Sequence, residues 1–145
     1  MPKLDWPDIF TDASELDFPS LLALWPNTVT GRLHPIGASA FGDLYFARPD
    51  GSIERLDILE GEVQAVASSN QELGAFMNSP EWQTQNLLTE GVALLLERGI
   101  SRGKGQFFAF APHPVFTGKV DWSRVMPLDA AVWHSICAQA FEQAS

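Results

Sequence analysis

The chain has one cysteine, Cys137, and only nine basic residues against eighteen acidic ones. A single thiol excludes an intrachain disulfide and any multi-cysteine metal site, and it suits a reducing cytoplasm. The formal charge of −9 sets up a field that repels nucleic acid and anionic membrane, so neither is expected as a partner, and a basic protein surface is favoured instead. No apolar run approaches the roughly 20 residues of a membrane span. The first residues carry Lys3, Asp5, Asp8 and Asp12 where a secretory signal is apolar. Internal repeats, low-complexity tracts and linker-like stretches are missing too. The 145 residues therefore read as one domain, long enough to withdraw roughly 70% of the unfolded surface from water.

What is present is a rhythm of short strands. In Ala40-Phe41-Gly42-Asp43-Leu44-Tyr45-Phe46 the apolar Leu44 and Phe46 alternate with Tyr45, and Pro49-Asp50-Gly51 supplies a preset φ followed by a residue free to take positive φ. Four strands are expected near 33–38, 43–48, 52–58 and 62–67, punctuated by Gly37, Gly42, Gly51 and Gly61, a spacing that argues antiparallel hairpins. A short helix is expected over Phe18 to Leu24, stopped by Pro26. Ser69 with Glu72 forms a capping box that turns Leu73, Phe76 and Met77 inward. Ser79-Pro80-Glu81 starts a helix expected to run to Glu97, with Leu88, Val92 and Leu95 as its apolar stripe and Gly99 as its end. Gln106 to Ala111 reads as a central strand buried on both faces and closed by Pro112 and Pro114. The last helix begins near Asp129, with Trp133, Ile136, Cys137, Ala140 and Ala144 facing the sheet and His134, Gln139, Glu142 and Gln143 facing water. The fold class is α+β, a mainly antiparallel sheet packed against two or three helices.

Few of these residues form a pattern that carries chemistry. Gly99-Ile100-Ser101-Arg102-Gly103-Lys104-Gly105 is one residue short of a phosphate-binding loop, lacks its hydroxyl, and runs from helix to strand, the wrong order to present amides to phosphate. His34, His113 and His134 are far apart and form no ligand pair, so neither metal nor cofactor is expected. Cys137 lies on an apolar stripe and reads as a small core residue. Glu60 and Glu62 flank Gly61 at a hairpin tip, where like charges are solvated.

The segment Ala40 to Phe46, the hairpin through Leu56-Asp57 and Gly61-Glu62-Val63, the run Gly105 to Pro112, and a terminal helix with Val132, His134 and Ala138-Gln139 together resemble one family. It is the C-terminal domain of type VI secretion immunity proteins of the Tdi kind. The resemblance covers about Ala40 to Gln143 (40–143), and residues 1–39, with Phe18-Pro19, Leu22 and Trp25, look like a shortened GAD-like region. It implies a non-enzymatic bacterial protein that binds and neutralises a cognate toxin effector, a DNase in the best-known branch. The chain departs from the family at Pro114-Val115-Phe116-Thr117-Gly118, where a leucine and a double glycine are usual, and in the short stretch Lys119-Val120-Asp121-Trp122. If that loop selects the partner, this chain has a different one.

Candidate partner-binding residues are the hairpin acids Asp50, Glu54, Asp57, Glu60 and Glu62, with Trp122 as an aromatic anchor, since interface centres favour tryptophan. The alternative is a small-molecule-binding domain or hydrolase whose pocket, near the loop 112–122, is built on His113 and Asp121.

Overall fold

The computed structural model describes residues 4–111 and 113–144. Lys3 and Pro112 lie outside the described residues, as do the side chains of Gln143 and Ala144. The alternation read around Tyr45 becomes a five-stranded antiparallel meander of β1 (Phe10–Asp12), β2 (His34–Ser39), β3 (Leu44–Ala47), β4 (Ile53–Asp57) and β5 (Glu62–Ala67), neighbours in space in that order. Helices cover it: α1 (Trp6–Ile9) and α2 (Phe18–Leu22) from the N-terminal part, then α3 (Asn70–Met77), α4 (Pro80–Asn86) and α5 (Thr89–Glu97). A separate antiparallel ribbon of β6 (Gln106–Phe110) and β7 (Val125–Asp129) encloses the short α6 (Pro114–Thr117) and leads into α7 (Ala130–Ala144). The protein is α+β, as its sequence leads one to expect.

The start signals act through the expected atoms, except that Glu72 accepts from the Ser68 amide at 3.0 Å instead of that of Ser69, which leaves the capping box half formed. Ser69 accepts from the Glu72 amide at 3.1 Å, and Ser79 from that of Trp82 at 3.4 Å with Pro80 in the first turn. Asp17 caps α2 by accepting from the Ser20 amide. The helix expected over 80–97 is broken, because Leu88 takes a left-handed φ of 55° between α4 and α5. The break lets the fully buried Leu87 and the half-buried Leu88 both reach the core.

Phe107 to Phe110 are buried on both faces as expected, but β6 is not central. Among the described residues its ladder partner is β7 alone, a strand whose Pro127 hides it from a sequence reading and is tolerated because the ribbon edge needs no donor there. On α7 the buried arc is also rotated from the expected one. His134 is 0% exposed and Ile136 is 40% exposed, so the helix buries Trp133, His134, Cys137 and Ala140.

The reason for that rotation lies in the β2–β3 turn, which is buried with its backbone. Buried carbonyls need donors, and three consecutive ones find them on other elements. The oxygen of Ala40 accepts from the Phe108 amide at 2.9 Å, that of Phe41 from Trp133 Nε1 at 2.8 Å, and that of Gly42 from His134 Nε2 at 2.8 Å. Gly42 has φ of 103°, and a Cβ there would stand 2.8 Å from Ile58 Cδ1. Gly42→Ala is expected to cost about 2–4 kcal/mol, the sum of backbone strain and overpacking. Gly51→Ala, with φ of 90° but open space around it, should lose only the strain, roughly 1 kcal/mol. Urea unfolding of the two variants measures the difference.

Candidate functional site

The β4–β5 turn brings several of the chain's unusual polar groups together. Asp57 ends β4 and accepts from the amides of Leu59 and Glu60 at 3.1 and 3.0 Å, so its carboxylate shapes the turn. Asp43, arriving from the β2–β3 turn, accepts from the Ile58 amide at 3.1 Å. The Ile58 carbonyl faces His113 Nε2 at 3.4 Å, and His113 Nδ1 accepts from the Val115 amide at 3.0 Å, capping α6. Beneath the turn, a Cβ on Gly61 would press to 2.9 Å against the Phe141 ring of α7. Glycine is thus required there twice, by contact and by its φ of 70°.

Burial, and next the neighbouring Asp57 charge, raise the Asp43 carboxyl far above the carboxylate range, while the Ile58 amide opposes the shift. Burial lowers the pKa of His113. Burial also lowers His134, to about 4. Its Nδ1 accepts from Trp25 Nε1 at 3.0 Å, an indole that only donates, so the proton sits on Nε2, which donates to Gly42. Protonation would set two N–H groups against each other. A depressed histidine pKa means stability that is whole above the unfolded value of about 6.5 and falls as the pH drops toward 4. The loss should reach about 3 kcal/mol. Asp43, with its raised pKa, works in the opposite direction, so the comparison of wild type with His134→Gln isolates the imidazole. Urea unfolding at a series of pH values should show a steeper acid decline in the wild type than in the variant.

The five hairpin acids do not form one patch. Asp50, which accepts from Ser52 at 2.9 Å, and Glu54, paired with Arg48, belong to the β3–β4 turn and the body of the sheet. Asp57, Glu60 and Glu62 stand at the far end of β4, with Asp57 about 10 Å from Glu54 at strand rise. Trp122 is no exposed anchor. Its half-buried ring meets Phe41 and Phe110 edge-on at 5.6 and 5.4 Å and covers Gly91 so closely that a Cβ would lie 2.2 Å away. Nor do His113 and Asp121 converge. Asp121 lines a cleft of about 320 Å³ with Thr117, Lys119 and Arg124, whereas His113 is buried against Trp133 and Phe141.

What the sequence reading missed is the apolar partner of the acidic turn. Leu59 and Glu60 share a cleft of about 380 Å³ with Pro114, Val115, Lys119, Val120 and Phe141. On the same segment Phe116 is 55% and Val120 38% exposed. The departure at Pro114 to Gly118 was the available signal. Among the described residues no group of three or more His, Cys, Asp or Glu is placed to hold a metal ion, and no helix is long and apolar enough to cross a membrane. Cys137 is buried, and burial raises its thiol pKa, with Asp43 and Asp57 adding to the rise. Native protein is expected to resist an aromatic disulfide reagent at mildly alkaline pH and to react at once in denaturant. Fast labelling of the folded chain would show the thiol to be accessible.

No family model matches the chain, and no curated protein matches it. Among solved structures it resembles a protein from Agrobacterium tumefaciens, Atu4351, with 23% identity and a TM-score of 0.56 over 83% of this chain. The match spans 62% of that protein's length. At this identity the likeness concerns the fold alone.

Proposed function

We propose that this protein is an immunity factor of the type VI secretion kind, which binds a cognate toxin effector in the bacterial cytoplasm and neutralises it by occupying its surface. The carrying observation is the cleft in which Leu59 and Glu60 of the acidic turn face Val115 and the exposed Val120, on the same short segment that carries the exposed Phe116. An apolar centre with charged surroundings is the usual composition of a protein interface of standard size. The acid charge adds fast, salt-sensitive association with a basic partner such as a nuclease. Both buried imidazoles are engaged with backbone or indole groups, which favours binding over acid–base chemistry as the protein's mode of action. The resemblance around Ala40 to Phe46 supplies the effector class.

The test is co-expression with a candidate effector from the neighbouring reading frame. Glu60→Gln with Glu62→Gln should slow association about tenfold at low salt and little at high salt. Phe116→Ala should instead speed dissociation and reduce protection, by about 1–2 kcal/mol of affinity. Full protection and unchanged rates in both variants would remove this surface from the interface.

A further inference from the structure

A second cleft, of about 280 Å³, lies on another side of the molecule and is lined by α1, β1, β6 and the loop 101–105. The basic run of the sequence is what lines it. Arg98, Arg102 and Lys104 are three of the nine basic residues, and two of them, Arg102 and Lys104, face this cleft. Two of the other arginines have carboxylate partners: Arg48 has Glu54, and Arg124 has Asp121 at 3.4 Å. Arg102 is held by neutral acceptors instead. Its Nη1 donates to Thr11 Oγ1 at 2.8 Å and to the Gln106 carbonyl at 3.4 Å, and its Nη2 to the Pro7 carbonyl at 2.7 Å. Its buried Nε has no partner among the described residues.

A part-buried guanidinium fixed by carbonyls, with no carboxylate in contact, is a cation whose desolvation is incompletely offset. It is also oriented in advance for a planar anion. The acids in the lining, Asp8 and Glu15, act on it across space and not by contact. Asp8 already accepts from the Asp5 amide at 2.8 Å. The floor is apolar, formed by Phe10, Leu96 and Phe108. Two cations, two acids and an apolar floor match a molecule with a carboxylate, an ammonium and a hydrocarbon body. The volume is at or below the low end of ligand pockets, roughly 300–1,000 Å³, which favours a small molecule over a nucleotide.

We propose that this cleft binds a free α-amino acid with an apolar side chain, its carboxylate on Arg102 and Lys104, its ammonium toward Asp8 and Glu15, and its side chain on Phe10 and Phe108. Arg102 is the positioning centre, because it also ties Pro7 and Thr11 to the loop before β6. A ligand there would link the N-terminal part to the ribbon.

The test is an amide chemical-shift titration of the full chain with L-leucine, isovalerate and isopentylamine, which carry both charges, the carboxylate alone and the ammonium alone. L-leucine should give saturable shifts at Thr11 and at residues 102–105, with affinity at least about tenfold tighter than either half-molecule. Lys104→Gln, an exposed change, should weaken L-leucine and isovalerate together. Glu15→Gln should weaken L-leucine and isopentylamine and spare isovalerate. Arg102→Gln should abolish L-leucine binding; because it also removes the tie to Pro7, the Lys104 and Glu15 variants decide the matter if it unfolds. The proposal is overturned by absence of saturable shifts with L-leucine, by isovalerate or isopentylamine binding as tightly as L-leucine, or by indifference to both exposed variants.

Discussion

Three carbonyl oxygens in a row, on Ala40, Phe41 and Gly42, point into the interior, and everything around them is arranged to supply donors. A turn is ordinarily placed at the surface because its backbone groups can be satisfied by water there. Burying this one makes β6 deliver an amide, and α7 deliver an indole and an imidazole from adjacent residues. Trp133 and His134 must therefore both point inward, which fixes the rotation of α7 and brings Trp25 from the N-terminal part onto the far nitrogen of His134. Two sheets, the last helix and the N-terminal segment meet at this point. A single unsatisfied carbonyl at such depth costs about 1–3 kcal/mol, enough to select one packing over near alternatives.

This explains what could and could not be read beforehand. The meander, the caps at Ser69 and Ser79 and the buried run Phe107 to Phe110 follow from local rules, because alternation, capping and proline placement act over a few residues. The break at Leu88 does not, since nothing in Leu87-Leu88 distinguishes a kink from a stripe until the core decides. His134 was assigned to water for the same reason: an imidazole is buried here only because a carbonyl and an indole wait for it on segments about a hundred residues away. Of the candidate partner-binding residues, the acids of the β4–β5 turn were legible as a charged tip, while their neighbourhood with Phe116 and Val120 depends on how α6 docks, which no periodicity states. Trp122 was legible as a large aromatic but not as a lid over Gly91.

The charges are distributed with some economy. Glu54 has Arg48, Asp121 has Arg124, and Asp12, Asp50 and Asp57 shape turns through amides. Arg55 lies between neutral partners, Tyr45, Gln64 and Asn86, and ties the sheet to α4. Arg102, like Arg55, is held by neutral acceptors, and Glu60 and Glu62 are exposed at the β4–β5 turn. The loop before β6 and the β4–β5 turn line separate clefts.

The segment between β6 and β7 is clipped at both ends, by His113 against Ile58, Trp133 and Phe141 and by Trp122 against Phe41, Phe110 and Gly91. Between the clips, Phe116 and Val120 lie on the outside. A stretch held in this way can carry other residues at Phe116 and Val120 with little consequence for folding, because both side chains lie on the outside. The outer surface of this segment is thus chemically independent of the interior that its two ends hold.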